Sequence, residues 1–246
     1  MGVFEDLEAE QERLEGILGG LDEAQWGAAS GAAGWTIADV MLHLAQSEEA
    51  VVATVADGYR RAGLGVAAGG SVDDWAAERV RAEREAPPGV IFGRWRRARR
   101  DALAALRAAD PGRPLEWVAA PVKPATLATT RLAEHWAHGL DITGPFGIGY
   151  PDTGRLRHVA WLAHRTLPYA MTRAGQRPAE VWCELTAPDG ESVWQFGSPG
   201  AESGICGAAG AFCRVAARRL APQDSGLTVT GPQGAVALRL LRTYAE

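Results

Sequence analysis

The chain has 246 residues, of which 47% are hydrophobic and 22% charged, and its formal net charge is −5. This mildly acidic balance gives no electrostatic case for nucleic acid, because phosphate binding needs a clustered basic surface. No run approaches the roughly 20 apolar residues of a membrane helix, so we predict no membrane partner. Cys183, Cys206 and Cys213 form no CxxC pair, which indicates neither a disulfide framework nor a thiolate zinc site and favours a reduced cytoplasmic location.

Apolar residues recur at helical spacing through most of the N-terminal part of the chain. The predicted helices cover residues 3–20, 36–61, 71–85, 90–109, 125–142 and 154–173. The segment "GLGVAAGG" (63–70) interrupts the pattern. Thr36 is expected to cap the second predicted helix, with Asp39 completing a T-x-x-D capping box. The basic run "RWRRARR" (94–100) lies on the fourth predicted helix, and we interpret it as a solvated face.

The pattern changes after "RAGQRP" (173–178). The next segment, "AEVWCELTAPDGESVWQFG", predicts two strands joined by a Pro-Asp-Gly turn. We expect three further elements: a small-residue helix in "SGICGAAGAFCRVAARR" (203–219), a short strand "LTVTG" (227–231) and a closing helix "AVALRLLRTYAE" (235–246). The predicted fold is therefore mainly α with two domains, a helical bundle over residues 1–174 and a small α+β domain over residues 175–246.

The stretch "RLAEHWAHGLDI" (131–142) places Glu134, His135 and His138 on one predicted helix. Glu134 and His138 are four residues apart and project from one face, and the i, i+3 spacing of His135 and His138 allows the same. His43 lies in the apolar stripe of the second predicted helix. It is therefore expected to face the bundle interior, where side chains of facing helices build metal sites.

A carboxylate and an imidazole on one buried face are costly unless something compensates them. A divalent cation bound by Glu134 and His138, with His43 as a third ligand, would do so. Two imidazoles and one carboxylate are typical of catalytic zinc and non-haem iron sites. Asp141 could accept a hydrogen bond from a ligating histidine. The alternative is that Glu134 and His138 lie on the exposed face of a helix without binding a metal, and that His43 is a core histidine with its hydrogen bonds made inside the protein. The remaining histidines and two of the cysteines are predicted to be structural: His158, His164, Cys206 and Cys213.

Two motifs carry a family resemblance. "GWTIADVMLHLAQSEE" resembles the helix-two signature of DinB-like metal-binding four-helix bundles, where a tryptophan precedes a helix with a histidine ligand. "RLAEHWAHGLDI" resembles the fourth-helix signature of one branch, the mycothiol-dependent maleylpyruvate isomerase family, in which E-x-x-x-H followed by an aspartate replaces H-x-x-x-H. The resemblance implies His43, Glu134 and His138 as metal ligands and leaves His135 outside the ligand set. It also implies a C-terminal α+β domain related to sterol carrier protein folds.

The same resemblance implies an enzyme that uses a divalent metal and a low-molecular-weight thiol such as mycothiol. Zinc is the expected metal, with iron or nickel as other options. The thiol would attack a small electrophilic substrate, and the enzyme would act as an isomerase or as an S-transferase. Arg94, Arg97 and Arg131 are candidates for binding a substrate carboxylate, and His135 and Asp141 are candidates for contacts behind the ligands.

Two alternatives to this function stay open. The first is a thiol-independent, metal-dependent lyase, hydrolase or cyclase of a secondary pathway. The second is a non-catalytic metal- or ligand-binding protein. Such a bundle is compatible with either a monomer or a homodimer.

Overall fold

The structure is a computed structural model that describes residues 2–60, 62, 71–118 and 120–244. Its α-helices are α1 (Val3–Leu18), α2 (Glu23–Trp26), α3 (Ile37–Asp57), α4 (Val72–Glu83), α5 (Pro88–Ala108), α6 (Pro124–Thr143), α7 (Leu156–Arg173), α8 (Ala209–Ala216) and α9 (Gly231–Leu240). Its strands are β1 (Val181–Thr186), β2 (Val193–Phe196), β3 (Ser203–Ala208) and β4 (Thr228–Thr230). The chain divides into two compact units, the first ending at Tyr150 and the second beginning at Pro151.

The first unit is built around four long helices, α1, α3, α5 and α6, which confirms the predicted bundle. α3 packs along α5, α1 packs along α6, and α3 also contacts α6. Apolar residues at helical spacing fill the interior, including Leu14, Leu18, Leu44 and Trp95, which are essentially inaccessible to solvent. Burial of this apolar surface, worth about 25 cal/mol per Å², holds the helices together. α3 and α6, which carry the candidate residues, are thus held in contact within one packed core.

The start of α3 is fixed by the predicted capping box, which the structure confirms. The Thr36 hydroxyl oxygen accepts a hydrogen bond from the Asp39 backbone N–H at 3.1 Å, and the Asp39 carboxylate accepts one from the Thr36 N–H at 3.0 Å. These bonds pair N–H groups that a helix start otherwise leaves without partners. Arg84 donates two further hydrogen bonds to Asp39. The end of α4 is therefore tied to the start of α3.

The second unit contains a four-stranded sheet in the order β2-β1-β3-β4. The predicted hairpin is confirmed, since β1 and β2 pair in antiparallel fashion around the Pro-Asp-Gly turn. β1 and β3 are parallel, and β3 and β4 are antiparallel. Val181, Cys183 and Leu185 alternate with exposed or half-exposed residues along β1, and α8 and α9 pack against β1 and β3. This arrangement agrees with the predicted small α+β unit.

Three details differ from the sequence-based expectations. α7, which we assigned to the bundle domain, packs against α8 and α9 and lies in the second unit, which begins at Pro151 rather than at residue 175. Ser203–Ala208 is a strand rather than the start of a helix, because its backbone pairs with β1 over its whole length. α9 runs from Gly231 to Leu240 rather than through the end of the chain, because the backbone of its cap residue Leu241 has a ψ of 132°, outside the helical range.

Two further expectations concern the rest of the chain. The interruption predicted at "GLGVAAGG" (63–70) lies outside the described residues. Among the helices that the structure does describe, none is both long enough and apolar enough to cross a membrane.

Candidate metal centre

His43 of α3 and Glu134 and His138 of α6 converge within the first unit, and we call these three residues the ligand cluster. One nitrogen or oxygen atom from each lies within 4.8 Å of the others. The Nε2 atoms of His43 and His138 are each 3.6 Å from Oε2 of Glu134, and the two imidazole centroids are 5.2 Å apart. Within the described part of the chain, no other three His, Cys, Asp or Glu side chains are grouped in this way.

The positions of the cluster residues follow from helix geometry and from the contact between α3 and α6. Glu134 and His138 are one turn apart on the same face of α6, and His43 faces them from α3. The exposed side-chain fractions are 17% for His43, 28% for Glu134 and 11% for His138. The cluster is therefore recessed, but solvent reaches each of its members.

Asp141 sets the orientation of the His138 ring. Its Oδ2 atom lies 2.9 Å from Nδ1 of His138, and the Asp141 side chain is almost fully buried. Because an ionised carboxylate only accepts hydrogen bonds, Nδ1 carries the proton, and the lone pair of the neutral ring is on Nε2, which lies close to Glu134. Burial lowers the pKa of His138, but the Asp141 and Glu134 carboxylates outweigh it and raise the pKa overall.

The other two cluster residues are held in the states that suit a metal ligand. Burial opposes ionisation of Glu134, yet the neighbouring His138 and His43 imidazoles, together with the charge of Arg131, hold the pKa of Glu134 well below its usual range. Glu134 is therefore a carboxylate. Burial is the largest influence on His43 and lowers its pKa, so this imidazole is neutral near pH 7 and keeps a lone pair.

His135 is placed quite differently, although it follows Glu134 in sequence. Its ring is fully buried. Nε2 accepts a hydrogen bond from the Trp95 indole N–H at 3.1 Å, and Nδ1 donates one to the Arg131 carbonyl oxygen at 2.8 Å. An indole only donates and a carbonyl only accepts, so both ring nitrogens are used. Burial and the charge of Arg131 lower the pKa of His135 to about 3. The ring is neutral and has no free lone pair for a metal.

Trp35 lines one side of the cluster. Its ring lies 5.2 Å from that of His43 and 6.4 Å from that of His138, with the latter pair nearly parallel at 14°. The residue directly precedes the Thr36 cap, so the capping box also fixes its position. Trp35 is the tryptophan of the motif that precedes the histidine-bearing helix, and its contact with the two imidazoles was not predicted from the sequence. The indole therefore packs close to both imidazoles of the cluster.

A buried ion pair lies beside the cluster. Nε of Arg131 (α6) donates a hydrogen bond to Oε1 of Glu48 (α3) at 2.9 Å, and the exposed side-chain fractions are 5% and 0%. Glu48 also lies 3.6 Å from Nδ1 of His135, and burial raises its pKa despite the nearby arginine. Glu48 was not predicted from the sequence, although an acidic residue inside an apolar helical stripe is a detectable pattern. Arg131, predicted as a carboxylate-binding candidate, is engaged by Glu48.

The other two candidate arginines lie elsewhere. Arg94 binds Glu49 through two hydrogen bonds of 2.6 and 2.7 Å and also pairs with Glu83. Arg97 is exposed. Both line a surface groove between α3 and α5 whose lining contains none of the three cluster residues. The structure thus does not bring Arg94 or Arg97 together with the cluster.

His164, Cys183 and Cys213 of the second unit have structural surroundings. Nε2 of His164 lies 2.9 Å from the Val181 carbonyl oxygen, and its ring stacks on Phe196. Cys183 and Cys213 are buried thiols. Burial raises the pKa of both, to about 12 for Cys183, so neither is a reactive thiolate.

The donor set of the ligand cluster fits a divalent metal. Two donor atoms bound to one tetrahedral zinc at about 2.0–2.1 Å are about 3.3 Å apart. The two 3.6 Å nitrogen–oxygen separations are close to that value, and they are longer than ordinary hydrogen bonds, which end at about 3.2 Å. The spacing of His43, Glu134 and His138 is therefore compatible with one shared small cation.

Comparison with known proteins agrees with the two motifs. The family model described as the mycothiol maleylpyruvate isomerase N-terminal domain matches residues 7–143, which include the whole cluster. Two uncharacterized proteins of Mycobacterium tuberculosis, from strains CDC 1551 and H37Rv, are each 33% identical over 246 residues, covering 98% of this chain and 94% of theirs.

Solved structures show the same fold. Crystal structures of the mycothiol-dependent maleylpyruvate isomerase and of a histidine-to-alanine mutant match with a TM-score of 0.63 at 16% identity, covering 92% of this chain and 91% of theirs. The family match extends over more than half of the chain and confirms the resemblance inferred from the motifs. The chain belongs to the family defined by the mycothiol maleylpyruvate isomerase N-terminal domain.

Proposed function

We propose that this protein is a divalent-metal-dependent enzyme that uses mycothiol, or a similar low-molecular-weight thiol, to isomerise or modify a small electrophilic substrate. The observation that carries the proposal is the convergence of two imidazole nitrogens on one carboxylate oxygen at 3.6 Å. That convergence occurs in a chain of this family, between the two helices on which the motifs lie.

His43, Glu134 and His138 would hold the metal, with zinc as the expected ion. A bound divalent cation supplies a positive charge that favours the thiolate form of a thiol near neutral pH. The three side chains together carry a charge of about −1. A bound dication would therefore leave a net positive charge at the site, which favours binding of an anionic thiolate.

The residues around the ligands have separate tasks in this proposal. Asp141 holds the Nδ1 proton of His138 and so keeps Nε2 available as a donor. Trp35 packs close to the His43 and His138 rings. Exposure is greatest at Glu134, so that side of the cluster is the approach for substrate. A catalytic site that is recessed yet open at Glu134 suits attack on a small molecule.

The thiol part of the proposal rests on the family and on the fold shared with the mycothiol-dependent maleylpyruvate isomerase. Thiol addition to a conjugated double bond removes the double-bond character, allows rotation, and is reversed when the thiol leaves. In S-transfer the new C–S bond is kept: the thiol either stays added across the double bond or displaces a leaving group, as chloride is displaced from 1-chloro-2,4-dinitrobenzene with loss of the thiol proton to solvent. A reduced cytoplasm, which we predict from the cysteine content, would keep such a thiol available.

The test is turnover of maleylpyruvate, and of 1-chloro-2,4-dinitrobenzene as a transferase probe, by zinc-loaded protein with mycothiol, with glutathione and without thiol. We expect turnover only with a thiol, fastest with mycothiol, and none in His138→Ala. Glu49→Gln is the matched control, because it changes an acidic residue of α3 that pairs with Arg94 outside the cluster. Metal-dependent turnover that ignores every thiol would contradict the thiol role and favour a lyase, hydrolase or cyclase.

A further inference from the structure

The buried ion pair beside the ligand cluster joins the same two helices that carry the ligands. Glu48 lies on α3, five residues after His43, and Arg131 lies on α6, three residues before Glu134. The two side chains are almost completely removed from solvent. Among the described residues, Oε2 of Glu48 and Nη2 of Arg131 have no hydrogen-bond partner. The pair is therefore held by its mutual charge more than by a complete set of hydrogen bonds.

The guanidinium of Arg131 is close enough to the cluster to act on it electrostatically. Arg131 and Glu134 are three residues apart on α6, and residues at this spacing are neighbours on one helix face with Cβ atoms about 5–6 Å apart. A guanidinium stays charged at every physiological pH. Because solvent screening is weak in a packed interior, an uncompensated Arg131 would repel a dication at the cluster. The structure supplies the compensation at 2.9 Å, from Glu48.

We infer that Glu48 is the counter-ion that allows a divalent cation to bind at the cluster. Glu48 is a positioning residue in this sense: it does not contact the metal, and it acts by cancelling the charge of Arg131. The inference rests on the metal-binding part of the proposed function. It adds a determinant of metal affinity that lies outside the ligand set. Glu48 and Arg131 fall within the two motifs, but the resemblance assigns neither of them to the metal.

This role predicts an asymmetry that a purely structural ion pair would not show. Glu48→Gln leaves a buried, unpaired cation beside the metal site. Arg131→Met leaves a carboxylate, which cannot repel a cation. Both changes break the same ion pair, so both should lower the thermal stability of the metal-free chain. Only the first should weaken metal binding.

The experiment is a zinc titration of metal-free protein in competition with a chromophoric chelator, with the visible spectrum of the Co²⁺ form as a second readout. We expect Glu48→Gln to weaken zinc binding by about 10- to 100-fold, the range typical of changes behind metal ligands. Arg131→Met should stay close to the unmodified protein. Glu49→Gln, the same chemical change at the next residue, breaks the pair with Arg94 and should leave zinc affinity and the Co²⁺ spectrum unchanged.

The double variant Glu48→Gln/Arg131→Met keeps the test decisive if Glu48→Gln alone does not fold. It removes both charges, so we expect zinc affinity near that of the unmodified protein. Equal losses in the two single variants, no loss in Glu48→Gln, or a large loss in the double variant would each overturn the inference. Absence of zinc binding in the unmodified protein would overturn the metal-binding proposal as well. Failure of the Glu48 inference alone is therefore recognised by normal zinc binding in the unmodified protein.

Discussion

The regions around His135 and His138 use the same side chain in opposite ways, although both lie on α6 within one turn. Both ring nitrogens of His135 are hydrogen-bonded, one to the Trp95 indole and one to the Arg131 carbonyl, and the ring is fully buried. His138 has one nitrogen fixed by Asp141 and the other facing the Glu134 carboxylate. The difference shows that a histidine's capacity to bind metal is decided by the partners of its two nitrogens. Residue type and spacing alone do not decide it.

Removal of His138, the histidine of the ligand cluster, should have the largest effect on this comparison. His138→Ala takes away one of three donors and should reduce metal content from about one ion per chain to near zero, because sites of this type rely on three protein ligands. Elemental analysis of protein purified without chelators checks this outcome. Retention of a full complement of metal by the variant would mean that His138 is not a ligand.

Removal of the buried histidine should instead cost stability. His135→Ala leaves the Trp95 N–H without its partner, removes the side-chain hydrogen bond to the Arg131 carbonyl and opens a cavity. We expect a loss of about 2–4 kcal/mol in the free energy of unfolding, measured by denaturant titration. Metal content should remain near that of the unmodified protein. If His135→Ala and His138→Ala lost metal equally, the distinction between the two rings would be wrong.

The pH dependence of the free energy of unfolding should provide a second test of the buried His135. His135 has its pKa lowered to about 3 in the folded chain, whereas the ordinary value is 6.5. Below pH 6.5 the unfolded chain therefore binds a proton at His135 that the folded chain does not bind. The contribution of His135 to the free energy of unfolding is present above pH 6.5 and falls by up to about 1.4 kcal/mol per pH unit as the pH drops towards 3. In metal-free protein, unfolding curves of His135→Phe should show a shallower acid dependence. Parallel curves would contradict this assignment.

The smallest of these effects should come from Asp141. Asp141→Asn keeps the size and a hydrogen-bond acceptor but removes the charge behind His138. Zinc affinity should fall by about tenfold, measured by chelator competition. Glu49→Gln, which removes a carboxylate charge elsewhere in the bundle, should leave the affinity unchanged. Equal affinities in Asp141→Asn and the unmodified protein would mean that Asp141 serves only the packing of α6.

Many of the helices, the α3 cap and the hairpin could be predicted from the sequence because they depend on local patterns. The helical spacing of apolar residues predicted the bundle, and the Thr36 capping box and the Pro-Asp-Gly hairpin needed only neighbouring residues. The i, i+4 relation brought Glu134 and His138 to one face. The i, i+3 spacing also permitted His135 with His138, whereas the i, i+4 spacing and the family resemblance together favoured Glu134 with His138.

The remainder depends on contacts between residues distant in sequence. The pairing of His135 with Trp95 spans two helices, as does that of Glu48 with Arg131, and no local pattern predicts either. The strand Ser203–Ala208 is rich in small residues with no strong strand preference, and its parallel pairing with β1 determines its conformation. The membership of α7 in the second unit has the same origin, since only its contacts with α8 and α9 decide it.

The most direct test of the central claim is elemental analysis of the unmodified protein, prepared without chelators and without metal-affinity resin. If His43, Glu134 and His138 form a metal site, the protein should contain about one divalent ion per chain, with zinc expected. A content near zero, with no uptake when zinc is added, would contradict the account and would leave the cluster as a group of interior polar residues.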